Sequence, residues 1–274
     1  MTRTAGRCGN ALIASDVIAA MQRNFRLIPR LDVKMEWLIK GVQMEGWRKV
    51  GDPAAFAADY ALAGADELLF MDVVASLYER NSLHEIIRKV ASSVFIPMTV
   101  GGGIRTVADV SAMLACGADK VAINTAATRN PDLITEIANR FGSQATVVSI
   151  EAVKHSGSWM AMTDNGRNHT GRDAVMWAKE AAERGAGEII ITSVDRDGLG
   201  SGYEIELVKL VASQVRVPVV CGGGLGTTGH LKELVTQTDA SAASIAQALH
   251  WKKLGMGDLR STLAETGCFV RKLG

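Results

Sequence analysis

Two carboxylates, Asp32 and Glu151, hold matching places in the sequence and could together carry out acid–base chemistry. Asp32 ends the apolar run RLIPRLD, and Glu151 ends the run ATVVSIE. Burial and like charge push the pKa values of two facing carboxyl groups apart, so that one serves as general base and the other as general acid. The alternative is that each is a strand-end acid paired with a nearby lysine, Lys34 or Lys154.

Two glycine triplets, Gly101–Gly103 and Gly222–Gly224, could bind phosphate. Each follows an apolar run and precedes a helical pattern. Backbone N–H groups without a neighbouring Cβ can approach an anion, and the start of a helix favours negative charge. The triplets therefore predict two phosphate sites and a long ligand with a phosphate at each end. The alternative is that the glycines only form tight turns.

Eight apolar runs alternate with amphipathic segments and must position these groups. The strand candidates are 26–32, 67–72, 96–100, 120–123, 145–151, 187–193, 217–221 and 242–246. The helix candidates include 53–63, 83–92, 107–116, 131–140, 173–184 and 204–213. This order predicts an α/β protein, a (β/α)8 TIM barrel, whose parallel strands are buried on both faces. An open doubly wound sheet ranks second, because the first β-to-α turn lacks Gly-x-Gly-x-x-Gly.

An internal repeat of about 120 residues predicts that the barrel consists of two similar half-barrels. ADELLFMDVV matches AGEIIITSVD, and IPMTVGGGIRTVADV matches VPVVCGGGLGTTGHL. The same spacing separates Asp32 from Glu151, which places them on strands 1 and 5, opposite each other. Both end their strands at the face where barrel enzymes keep catalytic groups.

A set of four charged residues stands at or near the starts of strands 1, 2, 4 and 6: Arg26, Glu67, Lys120 and Glu188. If their side chains point inward, they form a ring of alternating charge at the bottom of the barrel. Charges buried there must be paired to offset their desolvation. The ring is either functional or a cluster of stabilising salt bridges.

Composition excludes several classes of function. The chain has 274 residues, with 30 basic and 29 acidic side chains, so its net charge gives no basis for nucleic-acid or membrane binding. The four cysteines are scattered, without the spacing of a zinc site or a disulfide framework. No apolar run reaches the roughly 20 residues of a membrane span. We expect no metal and no organic cofactor.

Residues 25–274 are predicted to form one barrel domain, and residues 1–24 an N-terminal extension with little order. The run ALIASDVIAAM is interrupted by Asp16, and only Arg3 and Arg7 precede it, which disfavours a signal peptide. The first 22 residues are interpreted as a loose extension or as the result of a start codon assigned too far upstream. We expect a cytoplasmic protein with reduced thiols.

Motifs along residues 25–273 resemble the cyclase subunit of imidazole glycerol phosphate synthase, a glutamine-dependent barrel enzyme of histidine biosynthesis. The matching stretches are RLDVK, GDP, ADELLFMD, TVGGGIR, GADKVAINTAA, FGSQA, DNGRNHTG, GAGEIIITSVDRDG, SGY and GGG. GADKVAINTAA and SVDRDG are specific to this family among phosphate-binding barrels. The isomerase of the preceding step in histidine synthesis is less similar in these motifs.

The resemblance implies a role for each set of residues. A glutaminase subunit would dock at the bottom of the barrel in a heterodimer, and ammonia would pass the charged ring, which is the family's gate, to a bisphosphate imine at the top. Asp32 and Glu151 would be the catalytic acid–base pair. The implied phosphate contacts are Gly103, Asn124 and Thr125 at one end and Asp197, Gly198, Gly223, Gly224, Ala246 and Gln247 at the other, with Lys40 and Thr192 between them.

The sequence departs from the family at the top of the barrel. Glu151 stands where the family has an aspartate, which moves the carboxyl by about 1.5 Å, and misplacements of about 1 Å can cost about 100-fold in rate. Arg30 replaces a small cysteine and is expected to lie close to Asp32 and favour its ionised form. MEWLIKG replaces a glycine-containing turn, and Gln247 replaces a serine that contacts phosphate. The bottom ring is unchanged.

Three hypotheses about function follow. The first is the histidine-pathway reaction, in which ammonia converts phosphoribulosyl-formimino-aminoimidazole carboxamide ribotide into imidazole glycerol phosphate and aminoimidazole carboxamide ribotide. The second is a paralogous subunit that channels ammonia to another acceptor, such as a sugar amidinated for a surface polysaccharide. The third is a non-catalytic conduit that activates the glutaminase. Two complete phosphate loops argue against the third.

Overall fold

The structure is a computed structural model that describes residues 23–75 and 83–271. Its strands are β1 (Arg26–Lys34), β2 (Trp37–Val42), β3 (Glu45–Gly51), β4 (Leu68–Asp72), β5 (Met98–Gly101), β6 (Lys120–Ile123), β7 (Thr146–His155), β8 (Ser158–Thr163), β9 (Asn168–Asp173), β10 (Glu188–Ser193), β11 (Val219–Gly222) and β12 (Ala242–Ile245). Its helices are α1 (Pro53–Leu62), α2 (Leu83–Ala91), α3 (Val107–Ala115), α4 (Thr125–Arg129), α5 (Asp132–Phe141), α6 (Ala174–Glu183), α7 (Ile205–Gln214), α8 (Thr228–Gln237), α9 (Gln247–His250) and α10 (Met256–Glu265). A short 3-10 helix, Ser143–Ala145, precedes β7.

Eight of the strands close into a parallel barrel, in the order β1, β4, β5, β6, β7, β10, β11 and β12. The barrel is closed because β12 pairs in parallel with β1 and β7 pairs in parallel with β10. The predicted TIM barrel is confirmed, and all eight predicted strands form with small shifts at their ends. β1 and β7 are the first and fifth strands of eight, so they lie opposite each other.

Two antiparallel hairpins extend the barrel at equivalent places in the two halves. β2 and β3 continue from β1, while β8 and β9 continue from β7. Their turns use residues with positive φ, such as Gln43 and Met44 between β2 and β3, or Asp164 and Asn165 between β8 and β9, as the tight turns of right-twisted hairpins require. The sequence analysis did not predict these hairpins. The internal repeat therefore includes the hairpins as well as the barrel strands.

The apolar core has two layers, separated by the barrel wall. One cluster lies between the strands and the surrounding helices and includes Leu27 and Leu31 of β1. The other lies inside the barrel and includes Ile28 of the same strand. Successive side chains of a strand point to opposite faces, so one strand supplies both layers. Burial on both sides explains why the strands read as continuous apolar runs.

The predicted N-terminal extension, 1–24, lies outside the described residues except for its last two. Asn24 forms a β-bridge with Phe269 near the other end of the chain, and the Arg23 guanidinium donates to the carbonyl oxygen of Val235 at 2.6 Å. These two residues therefore pack on the barrel. Within the described ranges, no helix has the length and apolar character needed to cross a membrane.

Candidate active site

Strand alternation lines the inside of the barrel with charged groups at both ends and apolar groups between them. Along β1, Arg26, Ile28, Arg30 and Asp32 are two residues apart and share the inward face. Arg26 belongs to the bottom layer and Asp32 to the top layer. A middle layer of buried apolar side chains, which contains Ile28, separates them.

The four charged residues at the bottom form a closed ring. Arg26 Nη1 lies 2.9 Å from Glu67 Oε2, and its Nη2 contacts Glu188. Lys120 Nζ lies 2.7 Å from both Glu67 Oε1 and Glu188 Oε2. Each cation therefore contacts both anions, as the sequence analysis expected if these side chains pointed inward.

The ring is partly buried and electrically balanced. The Glu67 side chain is 4% exposed and also accepts a hydrogen bond from Thr99 Oγ1 at 2.6 Å. Burial alone would raise the pKa of Glu188, but Arg26 and Lys120 outweigh it and hold the pKa below its usual value. Two basic and two acidic side chains thus pair at the bottom of the barrel. This geometry is compatible with a gate and with a stabilising cluster.

Asp32, at the top of β1, is held by two cations. Arg30 Nε donates to its Oδ1 at 2.7 Å, and Lys40 Nζ lies 3.8 Å from Oδ2. Burial by itself would raise the pKa of Asp32, but Arg30 and Lys40 outweigh it, so the pKa lies below its usual value. Asp32 is therefore an ionised carboxylate at neutral pH. The alternative partner, Lys34, is not the cation that contacts it.

Glu151, at the top of the barrel on β7, has the opposite electrostatic environment. It is 4% exposed, and its Oε2 accepts a hydrogen bond from the backbone N–H of Gly166 at 2.8 Å. Burial raises its pKa to about 7, against the lowering effect of Arg30 and of the Gly166 N–H. Lys154, the alternative partner, instead lies 3.9 Å from Glu206.

The two carboxyl groups thus differ in their protonation state near neutral pH. Asp32 stays ionised, while Glu151 carries a proton for much of the time near neutral pH. A pair of this kind can accept a proton at one site and donate a proton at the other. These environments favour Asp32 as the base and Glu151 as the acid of the predicted pair.

A first cavity opens beside Glu151 at the top of the barrel. Gly102, Gly103, Asn124 and Thr125 line it together with Glu151. The glycine turn also packs tightly, because Gly102 has a φ of +98° and a Cβ added there would lie 2.2 Å from the Asp72 carbonyl oxygen. Tight packing and anion binding are compatible at this turn.

A second cavity occupies the equivalent place in the other half-barrel. Its walls contain all six residues predicted for the second phosphate: Asp197, Gly198, Gly223, Gly224, Ala246 and Gln247. Thr192 and Arg30 also line it. Gln247 is the first residue of α9, and its buried side-chain oxygen has no hydrogen-bond partner among the residues that the structure describes.

Lys40 lies between the carboxylates of the site. It stands on β2, and its Nζ contacts both oxygens of Asp197, at 3.0 and 2.7 Å. This contact joins the first hairpin to the loop after β10. The structure thus brings all predicted top-face residues to one mouth of the barrel. Their contacts with phosphate and their catalytic roles remain predictions.

The sequence analysis missed two features that support the site. The Gly166 N–H comes from the β8–β9 turn, and a backbone donor leaves no trace in side-chain patterns. His250 is buried within electrostatic range of Asp32, and its Nδ1 lies 2.7 Å from the Tyr60 hydroxyl. Burial lowers the pKa of His250 to about 4, so the ring is neutral. A Tyr and a His that are far apart in sequence gave no signal.

No group of three His, Cys, Asp or Glu side chains suited to a metal ion occurs in the ranges that the structure covers. Of the cysteines there, Cys116, Cys221 and Cys268 are buried and free.

Comparisons with known proteins agree with the barrel and its motifs. A family model described as "Histidine biosynthesis protein" matches residues 26–255. "Imidazole glycerol phosphate synthase subunit HisF" of Legionella pneumophila is 58% identical over 204 residues, which cover 74% of this chain and 96% of that protein. The protein of the same name from Myxococcus xanthus (strain DK1622) is 46% identical over 248 residues, which cover 90% of this chain and 98% of that protein.

Proposed function

Because the chain belongs to the histidine biosynthesis protein family, we propose that it is the cyclase subunit of an imidazole glycerol phosphate synthase. In this reaction, ammonia converts phosphoribulosyl-formimino-aminoimidazole carboxamide ribotide into imidazole glycerol phosphate and aminoimidazole carboxamide ribotide. The observation that carries the proposal is 46% identity over nearly the whole barrel to a protein of that name. The comparisons give no support to a sugar acceptor.

The mouth of the barrel supports the proposal because it matches a substrate with two phosphates. The two cavities flank the carboxylates, and a glycine turn lines each of them. A phosphate in each cavity would hold the reacting centre between Asp32 and Glu151. Glycine turns at helix starts provide backbone N–H groups for such anions.

The carboxylates divide the proton transfers between them. Ammonia attacks the imino carbon, and ionised Asp32 accepts a proton from the attacking nitrogen. Protonated Glu151 donates a proton to the amine that leaves as the carbon–nitrogen bond breaks. The added nitrogen then attacks the ketone carbon of the ribulosyl chain, and the ring closes to the imidazole product with loss of water. A positioned acid or base of this kind contributes about 100- to 10,000-fold to the rate.

The ammonia source is the second part of the proposal. A glutaminase subunit docks at the bottom of the barrel, and ammonia enters through the ring of Arg26, Glu67, Lys120 and Glu188. The ring closes the end of the barrel opposite Asp32 and Glu151, and a buried apolar layer separates the two ends. An entry at the bottom would keep ammonia away from water until it reaches the acceptor.

The direct test is turnover by the purified protein with the bisphosphate substrate and an ammonium salt. We expect imidazole glycerol phosphate as a product, and we expect the gene to restore growth to a histidine auxotroph that lacks the cyclase. A folded protein with no turnover would refute the proposal and reopen the question of another acceptor.

Two variants separate catalysis from simple passage of ammonia. Asp32→Asn and Glu151→Gln keep the size of each side chain but remove its acid–base function. We expect each to lower ammonium-driven kcat by about 100-fold or more. A non-catalytic conduit predicts the opposite, namely unchanged product formation in both variants.

A further inference from the structure

Arg30 is a buried cation inside the barrel that the proposed reaction leaves without a role of its own. Its side chain is 7% exposed, and its Nε donates to Asp32 Oδ1 at 2.7 Å. Its Nη1 lies 3.5 Å from Thr192 Oγ1, at the limit of a hydrogen bond. A guanidinium has five N–H donors. These two bonds are the ones it makes within the described ranges, so most of its donors remain available.

The available end of Arg30 borders the second cavity. Arg30 lines that cavity together with Thr192, which its Nη1 approaches, and with Gly223 and Gly224. The Nε holds Asp32 on the other side of the guanidinium. The guanidinium thus contacts the carboxylate through its Nε and approaches Thr192 of the cavity wall through its Nη1. A guanidinium suits a phosphate there because its donors form a rigid fork.

The charges around the cavity allow an anion to enter. Asp197 also lines the cavity and would repel a phosphate, but Lys40 contacts both of its carboxylate oxygens. Asp32 is balanced in the same way by Arg30. The charges of these two cations and two carboxylates sum to zero, so neither carboxylate is left without a cation when a phosphate enters beside Arg30.

The other half-barrel has no equivalent of this arginine. Arg30 stands two residues before Asp32, and Ser149 stands two residues before Glu151 on β7. Ser149 is buried and uncharged. The arginines beside the first cavity, Arg105 and Arg129, belong to its outer wall, and the side chain of Arg129 is 72% exposed. The repeat therefore supplies two similar cavities, of which the second contains a buried cation.

We propose that Arg30 is a substrate-binding and positioning residue, whose guanidinium binds the phosphate monoester in the second cavity while its Nε holds Asp32. One rigid group then fixes the phosphate relative to the catalytic base. The inference rests on the proposed function, because it names the side chain that contacts one of the two phosphates of that substrate. The inference also predicts that the two sites bind phosphate with different affinities.

Calorimetric titration with inorganic phosphate at pH 8 tests the inference without turnover. We expect two sites in the wild-type protein. Arg30→Gln should weaken one of them by about 10- to 100-fold, the usual value of a charge-assisted hydrogen bond. Arg88→Gln, an equal loss of charge on the outer surface of α2, serves as the control and should bind as the wild type does. Unchanged binding in Arg30→Gln would overturn the inference.

Two measurements keep the inference testable if Arg30→Gln fails to fold. In the wild-type protein, the nitrogen-15 resonances of the Arg30 guanidinium should shift on addition of phosphate, and the absence of a shift at saturation contradicts the inference. Arg30→Lys keeps the charge but loses the fork, so we expect an intermediate affinity at the weakened site. An affinity of Arg30→Lys equal to that of the wild type would also count against the inference.

Steady-state kinetics separate binding from a purely structural role. Arg30→Gln should raise the KM for the bisphosphate. It should also move the acid limb of the kcat–pH profile to higher pH, because Asp32 loses the cation that lowers its pKa. A normal KM with a shifted limb would mean that Arg30 acts on Asp32 alone. If the wild type binds phosphate at two sites but does not turn over the imidazole substrate, only the proposed function fails.

Discussion

At the scale of single residues, the site depends on how differently two carboxyl groups are surrounded. Asp32 has an arginine at 2.7 Å and a lysine at 3.8 Å, whereas the partner of Glu151 in the described part of the chain is a backbone N–H at 2.8 Å. Both are almost fully buried, so burial alone would raise both pKa values. The neighbouring cations reverse this effect for Asp32 and only reduce it for Glu151. The assignment of base and acid follows from that difference.

Glu151→Gln is expected to stabilise the protein while removing activity. The folded-state pKa of Glu151, about 7, lies above the usual 4.5, so its favourable contribution is complete below about pH 4.5 and is lost as the pH rises through 7. At pH 8 the buried charge then costs about 1–3 kcal/mol, which the neutral amide avoids.

Urea unfolding of wild type and Glu151→Gln at pH 8 and pH 4.5 measures this effect. The free-energy gain should be present at pH 8 and vanish at pH 4.5, where the carboxyl is protonated in the folded protein. The kcat of the wild type, normalised to free ammonia, should fall above about pH 7 as Glu151 loses its proton. If the difference in free energy of unfolding between the variant and the wild type were the same at both pH values, the environment described for Glu151 would be contradicted.

Glu151→Asp tests whether this site is adapted to the longer acid. Shortening the side chain by one methylene withdraws the carboxyl from the Gly166 N–H by about 1.5 Å, and a misplacement of about 1 Å can cost about 100-fold in rate. We therefore expect kcat to fall about 10- to 100-fold, with a smaller change in KM. An increase in kcat would show that the site still prefers an aspartate.

At the scale of elements, the two hairpins complete the site that the barrel strands begin. The first hairpin supplies Lys40 from β2, and the turn of the second supplies the Gly166 N–H. Each hairpin continues from the strand that carries one of the carboxylates. The repeat therefore gives each half-barrel one acid and one hairpin. Both hairpins favour the ionised form of their carboxyl group, but for Glu151 burial outweighs this effect.

Lys40→Met should destabilise the protein because it leaves two buried carboxylates short of a cation. Lys40 is 3% exposed and contacts Asp197 at 2.7 Å. Breaking a buried pair by removing one partner costs about 3–5 kcal/mol, whereas removing both partners is often nearly neutral. We expect Lys40→Met with Asp197→Leu to recover part of the lost free energy of unfolding.

Chemical denaturation of the wild type, both single variants and the double variant forms a double-mutant cycle for this pair. A coupling energy of about 1 kcal/mol or more is expected for groups in contact. Additive losses would show that Lys40 stabilises the fold without Asp197. Lys232→Met, on the exposed face of α8, controls for the loss of a lysine.

At the scale of the whole molecule, the barrel separates a charged ring at its bottom from a charged cluster at its top. The ring at the bottom is built from strands of both halves: Arg26, Glu67 and Lys120 come from the first and Glu188 from the second. The apolar layer above it keeps the two charged layers apart. A small neutral molecule such as ammonia can cross that layer more easily than an ion can.

Lys120→Met is expected to uncouple the two ammonia sources. Lys120 contacts both glutamates of the ring at 2.7 Å, so its loss leaves both with one cation and opens the ring. With the cognate glutaminase present, we expect glutamine-driven turnover to fall several-fold, while ammonium-driven turnover stays within about twofold. An equal loss of both activities would show that the substitution disturbs the folded structure rather than the passage of ammonia. Lys232→Met should change neither.

The sequence by itself determined the fold class and the membership of each charged layer. Continuous apolar runs can be stable only when buried on both faces, and an alternation of two residues along β1 places Arg26, Arg30 and Asp32 on one face. The repeat then placed Glu151 opposite Asp32. All eight strands were predicted because this signal is local and strong.

Only the tertiary structure decided how these groups are paired and protonated. The hairpins were missed because they carry mixed polar sequences and turns with non-glycine residues at positive φ, such as Met35 and Met44. The proton on Glu151 depends on burial and on a backbone N–H 15 residues away, and Asp32 is ionised because Arg30 and Lys40 converge on it. Such effects depend on distances between side chains, which a sequence pattern does not contain.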